Sequence, residues 1–272
     1  MNRMIANLLY LIVLLFSLPV TAVEPSLVRM ATTTSTDNSG LFEVIQPVFE
    51  KELDIRVHVI AVGTGKALEL GRRGDVDMVL VHAKPAEEAF IRAGYGVKRH
   101  EIMYNDFVIV GPVDDPAGVR GLHNAGTALG KIAAAQATFI SRGDDSGTHR
   151  KENAIWTQAN IRPVGEWYRQ VGQGMGKTLQ IANEMDAYTM TDRGTWLAYE
   201  SRLEIELLFD DDRPLFNPYG IIAVNPARHP DVNYAGAKKL IQWLTSPTVQ
   251  KSIGEFRIKG KALFVPSAGS SS

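Results

Sequence analysis

The 272-residue chain contains no cysteine. That absence excludes disulfide staples, thiolate zinc sites, thiol nucleophiles and cysteine lipid anchors. A surplus of positive charge is lacking too. Lys and Arg number 29 against 30 Asp and Glu, a formal net charge of −1, whereas nucleic-acid binding ordinarily shows a basic excess. After residue 22 no apolar run is long enough to cross a bilayer. The six histidines include no His-Glu-x-x-His pair, so a catalytic zinc site has no support. Asp210-Asp211-Asp212 lacks the EF-hand spacing and reads as a solvated loop before Pro214. Trp156, Trp167, Trp196 and Trp243 do not cluster along the chain, which leaves a sugar-stacking platform without support. Repeats and low-complexity tracts are absent.

What is present is globular in character. The 45% hydrophobic and 22% charged fractions suit one large domain or two medium ones with a sizeable core. Asn2-Arg3, the apolar run Leu8–Val20 and the small-x-small triplet Val20-Thr21-Ala22 read as a secretory signal over 1–22. Cleavage removes Arg3 and takes the formal charge from −1 to −2. Export without disulfides points to a bacterial periplasm.

Strand and helix patterns then alternate. Strands are expected at Leu27–Ala31, Ile55–Val62, Met78–Val81 and Phe107–Gly111, and later at Thr138–Ser141, Ala187–Thr191, Leu203–Phe209 and Ile221–Asn225. Helices are expected at Leu41–Leu53, Lys66–Arg73, from Pro85, up to Gln158, and at Lys177–Glu184, Arg193–Ser201, Ala235–Leu244 and Val249–Phe256. This rhythm implies a mostly parallel α/β sheet covered by helices. Two domains without an obvious linker imply a chain that crosses between them more than once.

Three places share one local design: a strand ends, hydroxyl or glycine residues follow, and a helix begins. They are Thr32–Thr36, Gly63-Thr64-Gly65 and Ser141–Thr148. Helix starts expose unpaired backbone N–H groups, and hydroxyls add neutral donors, so such ends bind anions. Arg142 adds a full charge on a planar fork. Three helix ends at about half a charge each, with one Arg, would sum to about +2.5 and match a divalent oxyanion if they converge. Taken singly, each site also reads as an ordinary helix cap or tight turn, and Arg142 as a partner of Asp144 or Asp145. Ser146 and His149 could suggest a hydrolase, but no orienting third residue is evident. The Gly143-Asp144-Asp145-Ser146-Gly147 segment departs from the serine-protease Gly-Asp-Ser-Gly by an inserted Asp, with no upstream Ala-Ala-His.

Ala31-Thr32-Thr33-Thr34-Ser35-Thr36-Asp37-Asn38-Ser39-Gly40-Leu41 resembles the Thr-Thr-Thr-Ser signature of the tungstate-binding proteins of ABC importers. Val62–Leu68, Met78–Ala83 and Ser141–His149 are similar to later blocks of that family, in the same order and spacing, and the likeness covers essentially the whole mature chain. Arg142-x-Asp144-x-Ser146-Gly147-Thr148 is also similar to the anion motif of phosphate-binding proteins, so that segment alone does not separate the two ligands. The resemblance implies a type II periplasmic binding protein, with two α/β lobes joined by two crossing strands and an oxyanion in the cleft. Tyr104–Gly111 would be the first crossing and Tyr219–Asn225 the return. Lobe one would comprise 23–105 and 224–272, and lobe two 106–223.

On this resemblance Thr33, Thr34 and Ser35 bind from lobe one with Thr64, and Arg142, Ser146, Gly147 and Thr148 close from lobe two. The strand end Thr189–Asp192 is a weaker candidate. The ligand would be tungstate or molybdate, which the sequence does not rank. The partner would be a membrane permease. A monomer is expected, with no cofactor, no metal and no catalysis. Phosphate remains the alternative, with Asp144 as acceptor for its proton or merely as an orienter of Arg142.

Overall fold

The computed structural model of the chain describes residues 25–210 and 212–269. The expected leader lies outside the described residues, as does the end of the tail. Among the described residues no helix is long and apolar enough to cross a membrane.

The chain opens with β1 (Ser26–Thr33), a single turn α1 (Thr34–Asp37), α2 (Leu41–Leu53), β2 (Ile55–Val62), α3 (Thr64–Arg73), β3 (Met78–Val81) and α4 (Lys84–Arg92). The patterning explains these elements. Leu41, Phe42, Ile45 and Phe49 place one face of α2 in the core, at the spacing of an amphipathic helix. In β2, Ile55 and Val57 are buried while Arg56 and His58 are exposed, the alternation of a strand. All four residues of β3 are buried, as befits a central strand covered on both faces. β1 pairs in parallel with β2 and β3, with Thr33 opposite Val62 and Thr32 opposite Leu80.

β4 (Gly96–Gly111) leads to α5 (Ala125–Ala134), β5 (Phe139–Ser141), α6 (Gly147–Gln158), β6 (Tyr168–Gln170), α7 (Met175–Glu184), β7 (Tyr188–Asp192), α8 (Arg193–Tyr199) and β8 (Glu206–Phe209). β9 (Phe216–Val224) returns, followed by α9 (Tyr234–Leu244), α10 (Pro247–Glu255) and the short strands β10 (Arg257–Ile258), β11 (Lys261–Ala262) and β12 (Val265–Pro266). The strand order is β2-β1-β3-β9-β4-β7-β5-β6, with β8 and β12 also on β4.

β4 spans two α/β lobes. Residues from Gly96 to Asp106 pair with β9, and from Phe107 onward the partners are β7 and β8. β9 runs antiparallel to it, with Asn217 opposite Asn105, then pairs with β3 through Gly220–Ala223. The two-lobed expectation is met, and β4 and β9 are the connections. The sheet is mixed rather than mostly parallel, because the crossing strands pair antiparallel with each other and with β3 and β7, and the elements also differ from the sequence reading in extent. β4 begins eleven residues before Phe107, β9 begins at Phe216 rather than Ile221, and α5 and β6 were not expected. One apolar cluster runs from Val28, Phe49 and Leu240 of the first lobe to Leu179 and Trp196 of the second.

Candidate functional site

The parallel pairing of β1, β2 and β3 sets their C-terminal ends side by side, where ligands of open α/β sheets bind. Three segments leave this edge: Thr33–Ser35, Gly63–Thr64 and His82–Ala83. Thr33 is buried and caps α1, accepting the Thr36 N–H at 3.2 Å. Its Oγ1 lies 2.5 Å from Thr36 Oγ1, 3.2 Å from Ser35 Oγ and 3.1 Å from His82 Nε2. Thr34 and Ser35 are exposed at the mouth. Thr64 is the first residue of α3, next to the β1 end, and its N-cap Gly63 makes no side-chain cap bond.

In the second lobe β5 ends at Ser141 and the chain turns through Arg142–Asp145 into α6. Gly143 has φ 62°, and a Cβ there would lie 2.7 Å from Gln170 Cβ, so the turn requires glycine. Asp145 takes φ 56°, a region that Asp tolerates. Ser146 is the N-cap of α6 and accepts the His149 N–H at 3.3 Å. His149 Nδ1 accepts the Asp145 N–H at 3.0 Å. Ser146 thus serves as a helix cap, and the His149 ring closes the turn before it; neither arrangement is that of a hydrolase pair. Gly147 is exposed and Thr148 buried in the first turn.

Arg142 Nη2 donates to Asp144 Oδ2 at 2.5 Å, while Asp144 Oδ1 accepts the Ser146 N–H at 3.2 Å. Burial works against the Asp144 charge, but hydrogen bonds from Ser146 and Arg142 hold its carboxyl below the usual range. Arg142 Nε is buried with no partner among the described residues.

The two lobes meet at His82. A Cβ on Gly147 would lie 3.8 Å from His82 Cε1, so the start of α6 borders the Thr33–Ser35–His82 cluster of the first lobe. Desolvation by burial pushes the His82 imidazole below its ordinary value, and Asp192 and Lys151 act on it with opposite sign. The structure therefore brings Thr33, Ser35 and Gly147 around one ring. Thr34 and Thr64 sit on the same sheet edge, and Arg142, Ser146 and Thr148 on the same loop and helix start as Gly147.

Two expectations need correction. α1 has four residues, too few for a full macrodipole, and Arg142 is paired with Asp144. The +2.5 charge sum is therefore not realised, and any anion here is held chiefly by directed donors. The strand end Thr189–Asp192 is spent internally. Thr189 Oγ1 donates to Ile140 O at 2.7 Å, and Asp192 caps α8 through Thr195 N at 2.8 Å. Asp210 and Asp212 hold structure: Asp210 pairs with Arg193, and Asp212 accepts the Ala125 N–H. Trp156 and Trp167 do meet, with ring centroids 5.9 Å apart, but in the core of the second lobe. A surface hollow of about 560 Å³ beside α5, lined by Thr127, Lys131 and Gln158, shares no residue with the cluster.

Sequence reasoning missed three supports. Glu152 is buried and accepts from Ser141 Oγ at 2.8 Å, Tyr168 OH at 2.7 Å and Trp156 Nε1 at 3.1 Å, tying β5 and β6 to α6. Burial raises its carboxyl, and burial together with the Glu152 charge pushes Tyr168 to about 12. Lys151 Nζ reaches the carbonyls of Pro214 and Phe216 at 3.0 and 2.9 Å. His82 had no stated role; its position directly after a fully buried strand was the available signal.

The sequence matches a family described as a PBP superfamily domain over residues 20–248. The tungstate-binding protein TupA of Peptoclostridium acidaminophilum is 46% identical over 243 residues, 88% of this chain and 85% of that protein. Among solved structures, the tungstate-binding protein TupA from Desulfovibrio alaskensis G20 superposes with a TM-score of 0.85 at 50% identity, covering 89% of this chain and 99% of that one. The tungstate ABC transporter structure from Geobacter sulfurreducens gives 0.76 at 51% identity, covering 85% and 98%. With a matching domain over most of its length and relatives this similar, the chain belongs to the PBP superfamily and, within it, to the family of the TupA tungstate-binding proteins.

Proposed function

We propose that this chain is the substrate-binding component of an ABC importer, capturing tungstate or molybdate in the periplasm and presenting it to the membrane permease. The observation that carries the reading is the meeting at His82 of the Thr33–Ser35 strand end and the Gly147 helix start. Donors from both lobes thereby surround one cleft. The named function of the relatives supports the same ligand.

In this site Thr34, Ser35 and Thr64 donate from the first lobe. Arg142, Gly147 and Thr148 donate from the second, while Thr33 and Ser146 shape the two turns. The lobes divide into 23–105 with 224–272 and 106–223, β4 and β9 being the crossings, and closure is a hinge motion there. Charge-assisted hydrogen bonds net about 1.5–3 kcal/mol each. Five or six suffice for nanomolar binding near about −12 kcal/mol after ordering and closure take their share. No bond is made or broken in this reading: the chain is a carrier without a cofactor, acting as a monomer and delivered by the leader at 1–22.

The likeness to the tungstate-binding relatives supports tungstate over phosphate. Asp144 accepts from Arg142 and from the Ser146 N–H, so it serves first to orient the guanidinium and the turn into α6. Titration calorimetry on the mature protein tests the reading. Tungstate should bind far more tightly than sulfate or phosphate, and equal affinity for all three would end it.

A further inference from the structure

His82 touches three parts of the molecule at once. Nε2 lies 3.1 Å from Thr33 Oγ1 and 3.3 Å from Ser35 Oγ, at the first-lobe strand end. Nδ1 lies 3.0 Å from Asn217 Oδ1 on the return strand. Cε1 borders Gly147 of the second lobe. The ring itself lies against Tyr219, with centroids 4.8 Å apart.

The direction of these hydrogen bonds follows from the crossing strands. Asn217 Nδ2 donates to Asn105 Oδ1 at 2.8 Å, a buried bond between the paired residues of β9 and β4. The Asn217 oxygen therefore faces His82 and takes a proton from Nδ1. A neutral ring protonated at Nδ1 presents a lone pair at Nε2. Burial favours the neutral ring, and the two charged groups that act on it, Asp192 and Lys151, oppose each other. The lone pair calls for a hydroxyl proton. Thr33 is the nearer donor; with the Thr36 N–H and, at 2.5 Å, the Thr36 hydroxyl both donating to its oxygen, its lone pairs are filled and its own proton turns inward to the imidazole. Ser35 then keeps its proton for the cleft.

We infer that His82 is a positioning residue of the oxyanion site. Its Nε2 lone pair draws the Thr33 hydroxyl inward so that Ser35 faces the ligand as a donor, and its Nδ1–H fixes that polarity on the Asn217–Asn105 pair where the crossing strands meet. The inference rests on the tungstate reading and extends it, because it joins the ligand hydroxyls to the hinge through one ring. A site for an unprotonated dianion needs every cleft-facing hydroxyl to donate, and with Thr33 satisfying the Nε2 lone pair the Ser35 proton is left for the ligand.

The test has two arms on the mature protein near neutral pH. In calorimetry with sodium tungstate, His82→Leu should weaken binding by about tenfold or more, since it removes the acceptor that holds the Thr33 proton and leaves the Asn217 oxygen without its donor. His82→Gln, which carries both a donor and an acceptor, should recover most of the loss. In nitrogen-resolved NMR of the wild type, His82 should be protonated at Nδ1 and bare at Nε2, with and without tungstate. A His82→Leu affinity within about twofold of wild type, no rescue by Gln, or a proton on Nε2 would each overturn the inference. The NMR arm decides even where the Leu variant does not fold. A wild type that ignores tungstate defeats the functional reading itself, and that failure is visible in the wild-type titration alone.

Discussion

Arg142 carries its charge under two constraints. One arm of the guanidinium is held by Asp144, and the Nε–H is buried with no partner among the described residues. A buried unpaired donor costs about 1–3 kcal/mol, and an arriving anion oxygen removes that cost. Arg142→Ala should therefore weaken tungstate binding by about tenfold or more in calorimetry. Arg142→Lys should restore it only in part, because an ammonium lacks the planar fork. The His82 imidazole gives a pH signature. Its folded value lies below 6.5, so the unfolded chain takes up the proton first as pH falls. Stability from this group is constant above 6.5 and declines on acidification from 6.5 toward the lower folded value. His82→Gln should flatten this part of the decline in thermal melts between pH 7.5 and 5.5, reading about 6.5 as the upper edge. At this scale the site was partly legible. Hydroxyls and Arg142 beside helix starts stood out as residue types, and Asp144 stood out as a neighbour able to pair with Arg142, whereas the contact of Thr33 with His82 depends on a residue distant in sequence.

The strand–loop–helix unit is the element that repeats. In the unit β5–α6 the turn depends on Gly143, whose φ is 62° and whose missing Cβ makes room for Gln170. Gly143→Ala should cost about 1–2 kcal/mol from the left-handed backbone alone, with further loss from the clash, read as a lowered melting temperature. Glu152 anchors the same unit from below. Glu152→Gln should be mild: Oε1 still accepts from Trp156 and Tyr168, and the new amide can donate to the Ser141 hydroxyl. Glu152→Leu should cost several kcal/mol in denaturant unfolding, since about 1–3 kcal/mol attaches to each stranded buried donor. Periodicity located α2, β2 and β3 to the residue, because their apolar faces are regular. It missed the first part of β4, where Lys98-Arg99-His100-Glu101 reads as surface. Arg99 is in fact largely covered and reaches the buried Glu87 at 2.6 Å. It also missed α5, whose Ala- and Gly-rich sequence gives little contrast between faces.

The whole molecule turns on the meeting of β4 and β9. Arg193 clamps Asp106 at 2.5 and 2.6 Å and reaches Asp210 at 2.7 Å, and Lys151 holds the carbonyls that lead into β9. Strand pairing of Asn105 with Asn217 and the side-chain bond between them lie at the same place. This discontinuous arrangement was not legible in periodicity, which orders elements along the chain but not across it. The family resemblance supplied it. Ligand capture should stabilise the fold as a whole. At about a thousandfold excess over Kd the gain is about 4 kcal/mol, and tungstate should raise the melting temperature by about 2–4 °C for each kcal/mol, with sulfate giving little. The most direct measurement is a crystal structure of the tungstate complex, with the tungsten located by its anomalous signal. The account predicts one metal atom between Ser35, Thr64 and the Gly147 helix start, with an oxygen on Arg142. Tungsten bound elsewhere, or contacting residues of one lobe alone, would contradict it.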